Sequence, residues 1–312
     1  MKKNIVISVE STLVEVMRDY YASHLVNAIG EYVDFQAEVN GVVITAYLSK
    51  GEKKKVNFYG EFDNALKEAR VWNPELEVAE QKEEKETPTK KEWMFFDDQI
   101  GSDEVGVGDF LGPMIVVAAY VDHRDIKKLR EYGIQDSKKM TDKKIMEIGP
   151  SLVKEFHYSK LTLSNEKYNE MYLKGENLNS MKAKMHNRAL LNMHKEYQDV
   201  LNIFVDQFVV EKTYYKYLND ANEEQVHDIV FKTKGESYFP CVALASVIAR
   251  YSYLLEMKKL SEKYNMDFPF GASKKVTAFA KEFLEKYGEK ELNKIVKKNF
   301  ANYREVVENN LF

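Results

Sequence analysis

The sequence predicts two folded units, a small α+β unit followed by a larger α/β unit built on a mixed sheet. Three observations carry this. Residues 75–92, ELEVAEQKEEKETPTKKE, hold seven Glu and four Lys with one proline and almost nothing apolar, so they cannot bury a core and read as a linker. The alternative is an exposed, salt-bridged helix, whose length Pro88 limits. Before this stretch, short β-rich runs and two helical patterns follow in the order β-α-β-β-β-α. After it, longer strand-sized apolar runs alternate with helical patterns. The expected division is therefore 1–74, a linker at 75–92, and 93–312.

In the first unit, Ile5–Val9 predicts a strand. Thr12 and Glu15 have capping-box spacing for a helix running to about Ile29 and ended by Gly30. Val33–Val39 and Val42–Leu48 predict two strands, and Asn40-Gly41 between them is a strong hairpin signal. Lys50–Lys55 predicts a polar turn, Val56–Tyr59 a third short strand of the series, and Asn64–Val71 a closing helix. In the second unit, strands are expected at Met94–Ile100, Met114–Val121, Phe156–Leu163, Ile203–Val210 and Ile229–Lys232. Helical patterns fall at 124–132, 141–154 and 180–199, and Val242–Leu260 predicts a helix with little polar surface before Glu256.

A chain of 312 residues is long for one core and comfortable for two. The single cysteine, Cys241, excludes an internal disulfide and suggests a reducing compartment, so a cytoplasmic protein is expected. The longest apolar runs, such as Met114–Val121, are far too short to span a bilayer, and no signal peptide is read at the start. No membrane association is expected, and a monomer is. The net charge of −4 argues against a uniformly basic binder. Residues 272–304, however, hold nine Lys/Arg against four Glu. That local surplus suits a nucleic-acid surface, or a plain solvated helix face.

The most informative stretch is Ile100-Gly101-Ser102-Asp103-Glu104-Val105-Gly106-Val107-Gly108-Asp109-Phe110-Leu111-Gly112-Pro113. It is expected to put two adjacent carboxylates in a tight glycine-rich turn just before an apolar strand. Adjacent acids repel, and a divalent cation reverses the sign of that interaction. Glycines let the backbone approach a ligand closely. Two further acids stand out by context. Asp206 closes the apolar run Ile203-Phe204-Val205, where an unpaired carboxylate is expensive to bury. Glu236 follows the strand at Ile229–Lys232 and precedes the apolar helix. On spacing alone, each reads as a surface acid before it reads as a ligand. Four together form an oxygen-rich set that suits Mg²⁺ or Mn²⁺, and the absence of C-x-x-C or H-x-x-x-H argues against zinc.

These residues resemble a known family. The run Gly101–Asp109 with Gly112-Pro113 looks like the first motif of the type 2 ribonucleases H, and Val242-Ala243-Leu244-Ala245-Ser246-Val247-Ile248-Ala249-Arg250 looks like that family's alanine-serine helix. The charged linker, the extra β-α-β-β-β-α unit, Asp136-Ser137-Lys138-Lys139 and Asn177-Leu178-Asn179 with His186-Asn187-Arg188 point to its ribonuclease HIII branch. The resemblance covers nearly the whole chain. It implies a ribonuclease H-like catalytic domain with flanking helices, plus a small N-terminal TATA-binding-protein-like domain that assists substrate binding. It implies endonucleolytic hydrolysis of the RNA strand of RNA/DNA hybrids with two divalent ions, leaving 5′-phosphate and 3′-hydroxyl ends.

The family's four carboxylates carry over to Asp103, Glu104, Asp206 and Glu236 as metal ligands, the Glu at position 236 favouring the HIII branch. Its glycine-rich element, which reads the ribose 2′-hydroxyl through backbone groups, carries over to Gly106, Val107 and Gly108, where ribonuclease HII has a basic residue in place of Val107. Lys138, Lys139, Lys182, Lys184, Arg188, Ser246 and Arg250 are candidate phosphate contacts, with surface charge as the alternative for each lysine and a core acid as the alternative partner of Arg250. His186 is expected to be structural or phosphate-binding rather than a general base. Rival readings are ribonuclease HII-type cleavage at single embedded ribonucleotides, a non-catalytic hybrid binder, and a structural protein whose first unit recruits partners.

Overall fold

The computed structural model describes residues 2–26, 33–48, 53–74, 76, 93–134, 140–222 and 224–307. The chain divides into two compact units, Met1–Thr87 and Pro88–Phe312.

The first unit is a five-stranded antiparallel sheet in the order β1-β5-β4-β3-β2, with helices α1 (Ser11–Tyr20) and α2 (Phe62–Trp72). Its strands are β1 (Lys2–Glu10), β2 (Leu25–Val26), β3 (Val33–Val39), β4 (Val42–Tyr47) and β5 (Lys53–Glu61). Asn40 and Gly41 both take positive φ (52° and 73°), the conformation that lets a two-residue turn match the twist of β3 and β4. Strand alternation sends Ile5, Ile7, Phe35, Ala37, Ile44, Val56 and Phe58 into one core with Val14, Met17, Ala65 and Ala69 of the helices. Two expectations are corrected here. The first helix stops at Tyr20 instead of Ile29, because the following residues turn and Leu25–Val26 pair with β3 as an edge strand; Gly30 lies outside the described residues. The third strand begins at Lys53 rather than Val56, since Lys53–Lys55 pair with Ser8–Glu10 instead of forming a turn.

The second unit is built on a mixed sheet in the order β10-β9-β6-β7-β8. The strands are β6 (Gln99–Val105), β7 (Met114–Val121), β8 (Tyr158–Leu163), β9 (Ile203–Asp206) and β10 (Ile229–Lys232). β6, β9 and β10 run parallel, and β7 and β8 run antiparallel to their neighbours. The helices are α3 (Ile126–Glu131), α4 (Asp142–Glu155), α5 (Asn165–Leu173), α6 (Leu178–Glu196), α7 (Glu211–Asp220), α8 (Pro240–Tyr264), α9 (Lys274–Leu292) and α10 (Ala301–Val307). β7 reads as an uninterrupted apolar run because both its faces are covered. Ile115, Val117 and Ala119 belong to the core that includes α8. Val116 and Ala118 belong to the core that includes α6 and α7.

The first strand of this sheet is displaced from its expected place. It is Gln99–Val105, not Met94–Ile100, so Asp103 and Glu104 lie in a strand and not in the turn after it. The ninth strand ends at Asp206 rather than Val210, and the chain then turns into α7. α5 and α7 were not expected from the sequence.

Gly101 sets the packing of α8 on β6. A Cβ there would lie 2.4 Å from Cys241 Sγ and 2.8 Å from the backbone nitrogen of Val242. Gly101→Ala is therefore expected to destabilise the protein by about 1–3 kcal/mol through overpacking against backbone that cannot yield. Chemical denaturation checks this, and an unchanged midpoint would show that α8 is free to shift.

Candidate active site

Strand alternation separates the two adjacent acids. Asp103 pairs with Val117, on the face covered by α8, and Glu104 pairs with Val116, on the face covered by α6. Each carboxylate then finds partners from its own side. The Ser246 side chain on α8 hydrogen-bonds Asp103, and the backbone nitrogen of Glu104 donates to Asp103 Oδ1 at 2.7 Å. Glu104 meets α6, where the Lys182 ammonium pairs with Oε1 and His186 Nε2 lies 2.9 Å from Oε2. The other ring nitrogen of His186 is 2.8 Å from Ser102 Oγ, and the fully buried ring stacks on Phe208 at 5.1 Å. Lys182 Nζ lies 4.0 Å from the centre of the same Phe208 ring.

The parallel register brings in the third acid. Ser102 pairs with Val205, so the next residues, Asp103 inside β6 and Asp206 at the end of β9, come side by side, close enough for the Asp206 charge to act on Asp103. Asp206 Oδ1 accepts from the backbone nitrogen of Gly235 at 2.8 Å, which ties the end of β9 to the turn after β10. That turn, Gly235–Ser237, carries Glu236, buried and accepting from Ser237 Oγ at 3.3 Å, and leads directly into α8.

The electrostatics of the two faces differ. Burial pushes the Asp103 carboxyl well above its ordinary range, the charges of Glu104 and Asp206 push the same way, and the hydrogen bonds it accepts offset only part of this. Burial also pushes Glu104 up, but the His186 hydrogen bond and the Lys182 ammonium outweigh it and hold the carboxyl below its ordinary value. The α8 side is thus a partly uncompensated negative field lined by hard oxygen donors. Such a donor set fits Mg²⁺ or Mn²⁺.

Beside the acids, Gly106 takes φ +84°, and a Cβ there would lie 2.3 Å from the Pro113 carbonyl oxygen, so the chain can reverse here only at glycine. Gly108 is exposed with nothing near its missing side chain, while the Val107 side chain packs against the cluster of Met114, Leu163, Tyr168 and Met181. Val107 therefore has an apolar anchoring role in the loop.

The candidate phosphate contacts scatter. Lys182 is buried against Glu104, and Lys184 pairs with Glu176 at 2.7 Å. Arg188 is exposed on α6. Ser246 serves Asp103. Arg250 grips Asp142 through two bonds of 2.9 and 2.8 Å and lies 4.9 Å from the centre of the Phe270 ring; Asp142 is a half-exposed residue and not a core acid. Lys138 and Lys139 lie outside the described residues. Sequence reasoning missed the Ser102–His186–Glu104–Lys182 network. The signal was the spacing of Lys182 and His186, one helical turn apart on α6.

Among the described residues, one group of three has ligand atoms within 4.8 Å of one another: Asp98, Asp122 and His123. It lies at the opposite end of β6 and β7 from the four acids. Asp98 already accepts from the His123 backbone at 2.9 Å, and Asp122 from Arg124. It is a surface ion-pair cluster, separate from the acids above.

Comparison with known proteins adds to this geometry. The profile of the ribonuclease HII family matches residues 100–303, and that of a domain family of unknown function matches residues 4–85. A ribonuclease HIII of Bacillus mycoides is 39% identical over 311 residues, covering 97% of each chain. The crystal structure of Bst-RNase HIII in complex with Mn²⁺ matches with a TM-score of 0.66 and 31% identity over 98% of each chain. The structure of Aquifex aeolicus RNase H3, at 24% identity and a TM-score of 0.53, covers 95% of this chain and 100% of that one, and shares the fold.

Proposed function

The chain belongs to the ribonuclease HIII family, and we propose that Asp103, Glu104, Asp206 and Glu236 are the metal-binding catalytic set of an endoribonuclease that hydrolyses the RNA strand of RNA/DNA hybrids. One observation carries the residue assignment: the sheet register and the turn before α8 gather acids from three separate stretches of sequence at one end of the central strands. Bound Mg²⁺ or Mn²⁺ supplies Lewis-acid charge at the scissile phosphate and lowers the pKa of water. The protein's own groups hold the ligands in place. Ser246 orients Asp103, the Gly235 amide orients Asp206, and Lys182 with His186 orients Glu104. The backbone at Gly106–Gly108 is the element offered to the ribose 2′-hydroxyl.

The first unit is read as a substrate-binding domain. The face of its sheet turned away from the helices carries a polar row set by the strand register, Asn57 against Thr45 and Thr45 against Gln36. Thr45 is buried and accepts from Gln36 Nε2 at 3.0 Å, so the half-buried amides of Gln36 and Asn57 are what this row offers to phosphate and sugar oxygens. The same strand parity puts the exposed Lys53 and Lys55 beside Asn57 on this face, which is therefore partly basic; Lys54 faces the helices, where it pairs with Asp34 at 2.7 Å, and Lys50 lies outside the described residues. Among the described residues no helix is long and apolar enough to cross a membrane. A cytoplasmic monomer is the accompanying reading, and light scattering tests its oligomeric part.

The function is tested with a substrate panel. Purified protein is expected to cut a hybrid with a run of ribonucleotides at least about tenfold faster than a duplex with one embedded ribonucleotide, a difference of about 1.4 kcal/mol in barrier. Neither is expected to be cut in excess chelator. Equal rates on the two substrates would move the reading to ribonuclease HII-type activity.

A further inference from the structure

Lys297 belongs to the basic stretch 272–304, yet it is fully buried and is not a surface charge. Its Nζ donates to the carbonyl oxygens of Asp109 at 2.8 Å and Gly112 at 2.6 Å. Both carbonyls lie in the loop that joins β6 to β7 beside the acids. The rest of that loop's base is anchored as well. Gly112 N donates to Ile295 O at 2.9 Å, Lys297 N to Phe110 O at 2.9 Å, and Phe110 N to Gly271 O at 3.0 Å. Leu111 bridges to Val296, and the Tyr253 hydroxyl donates to Leu111 O at 3.1 Å. Asn169 fixes the lysine's own stretch by donating to Val296 O at 2.9 Å and accepting from Lys298 N at 2.9 Å.

Burying an ammonium is costly, and burial pushes this one down to about 7. An apolar side chain would fill the same space without that cost but would leave two carbonyls without a donor. The lysine is therefore explained by what it holds. The crest of the loop is the opposite case. Asp109 N reaches Gly106 O only at 3.4 Å, and Gly108 is exposed with open space where a side chain would be. A fixed base thus carries a bare crest.

We propose that Lys297 is a positioning residue for ribose recognition: its buried ammonium locks the base of the Gly106–Gly112 loop so that the Gly108 crest is held in the arrangement that accepts a 2′-hydroxyl. This rests on the proposed function, in which the loop meets the ribose. The lysine touches neither substrate nor the acids and acts through the peptide groups at 109 and 112.

The test compares full-length Lys297→Met with the native protein, measuring affinity for an RNA/DNA hybrid and for a DNA duplex of the same sequence, without divalent cation. The hybrid-to-DNA affinity ratio is expected to fall by about tenfold, the size of one buried hydrogen bond, with DNA affinity unchanged. Calorimetric Mn²⁺ binding is expected to stay native, which separates loop positioning from damage to the acids. A folded variant with the native ratio overturns the proposal. If Lys297→Met does not fold, Lys297→Gln keeps one neutral donor and is expected to show a smaller loss in the same direction. A native ratio there, or failure of both variants to fold, also overturns it, the lysine then being a core strut. Gly108→Ala separates the proposal from the function beneath it, since its Cβ meets nothing in the protein. If Gly108→Ala lowers the ratio and folded Lys297→Met does not, the loop's role in ribose binding stands and the lysine's role falls. If Gly108→Ala leaves the ratio native, the loop's role itself falls and the proposal with it.

Discussion

Asp103→Asn is expected to lower the turnover of RNA/DNA hybrid by on the order of 10³-fold or more, since removing even a single electrostatic stabiliser from a dry site costs about 10²–10³. The fold and hybrid binding are expected to survive. Asp103 sits where β6 meets β9, with Ser246 behind it and Glu104 and Asp206 adding to the burial that raises its carboxyl well above the ordinary value. Asparagine keeps the shape and removes the charge. The stability effect has a definite sign. A carboxyl raised in the folded state contributes stability below its unfolded value and loses it as pH rises through the folded value. In chelator, Asp103→Asn is therefore expected to unfold at the same temperature as the native protein in acid and at an equal or higher one at pH 8. A variant with near-native turnover would remove Asp103 from the catalytic set. A variant that is less stable at pH 8 than in acid, relative to native, would show that a cation of the protein already neutralises the Asp103 carboxylate.

Removing residues 1–80 is expected to raise KM for hybrid by about tenfold or more, because a second tethered contact acts through effective concentration. Turnover at saturation is expected to stay within about threefold, since the tether adds no group to the chemistry. The four acids, Ser246, Lys182 and His186 all lie in the second unit, which has its own core around α8. The slope of log affinity against log salt is expected to become shallower by about 0.9 for each phosphate contact that a cation of the first unit makes. Contacts from the Gln36 and Asn57 amides would release no counterions, so a fall in affinity with little change in slope would identify those amides, and not Lys53 or Lys55, as the contact. Native KM and native salt dependence together would mean that the first unit does not grip the substrate and serves a different partner.

Local chemistry made much of this protein legible. Asn40-Gly41 announces its hairpin because few other residues accept two consecutive positive φ values. The run Met114–Val121 is apolar at every position because the strand is covered on both sides, and that requirement is visible without a structure. The four acids stood out because carboxylates at apolar strand ends need an explanation, and the resemblance to a family carried the choice of Asp103, Glu104, Asp206 and Glu236. Element ends were less legible. Helix α1 has a cap pattern that favours a longer run, but pairing of Leu25–Val26 with β3 competes for the same residues and wins. Strand β6 was displaced toward Met94 because its own residues, with two acids and a glycine, look unlike a strand until a parallel neighbour supplies the hydrogen bonds.

The sequence by itself determined residue types and local periods: two units, a charged stretch between them, an acid pair beside glycines, and strands sized for a mixed sheet. Only the tertiary structure decided which partner each charge meets. Neighbours in sequence, Asp103 and Glu104, are sent to opposite faces by the two-residue period of the strand and end with different electrostatics. Lys182 and Arg250, read as candidate phosphate contacts, are engaged with Glu104 and Asp142 at separations of 78 and 108 residues. Lys297, one of nine cations in a stretch that looks like surface, is the one drawn inside, under the loop beside the acids. The physical reason is the same in each case. Backbone preference acts over a few residues and is written in composition, whereas the energy of a charge depends on burial and on the nearest opposite charge or dipole, which the chain supplies from any distance along its length.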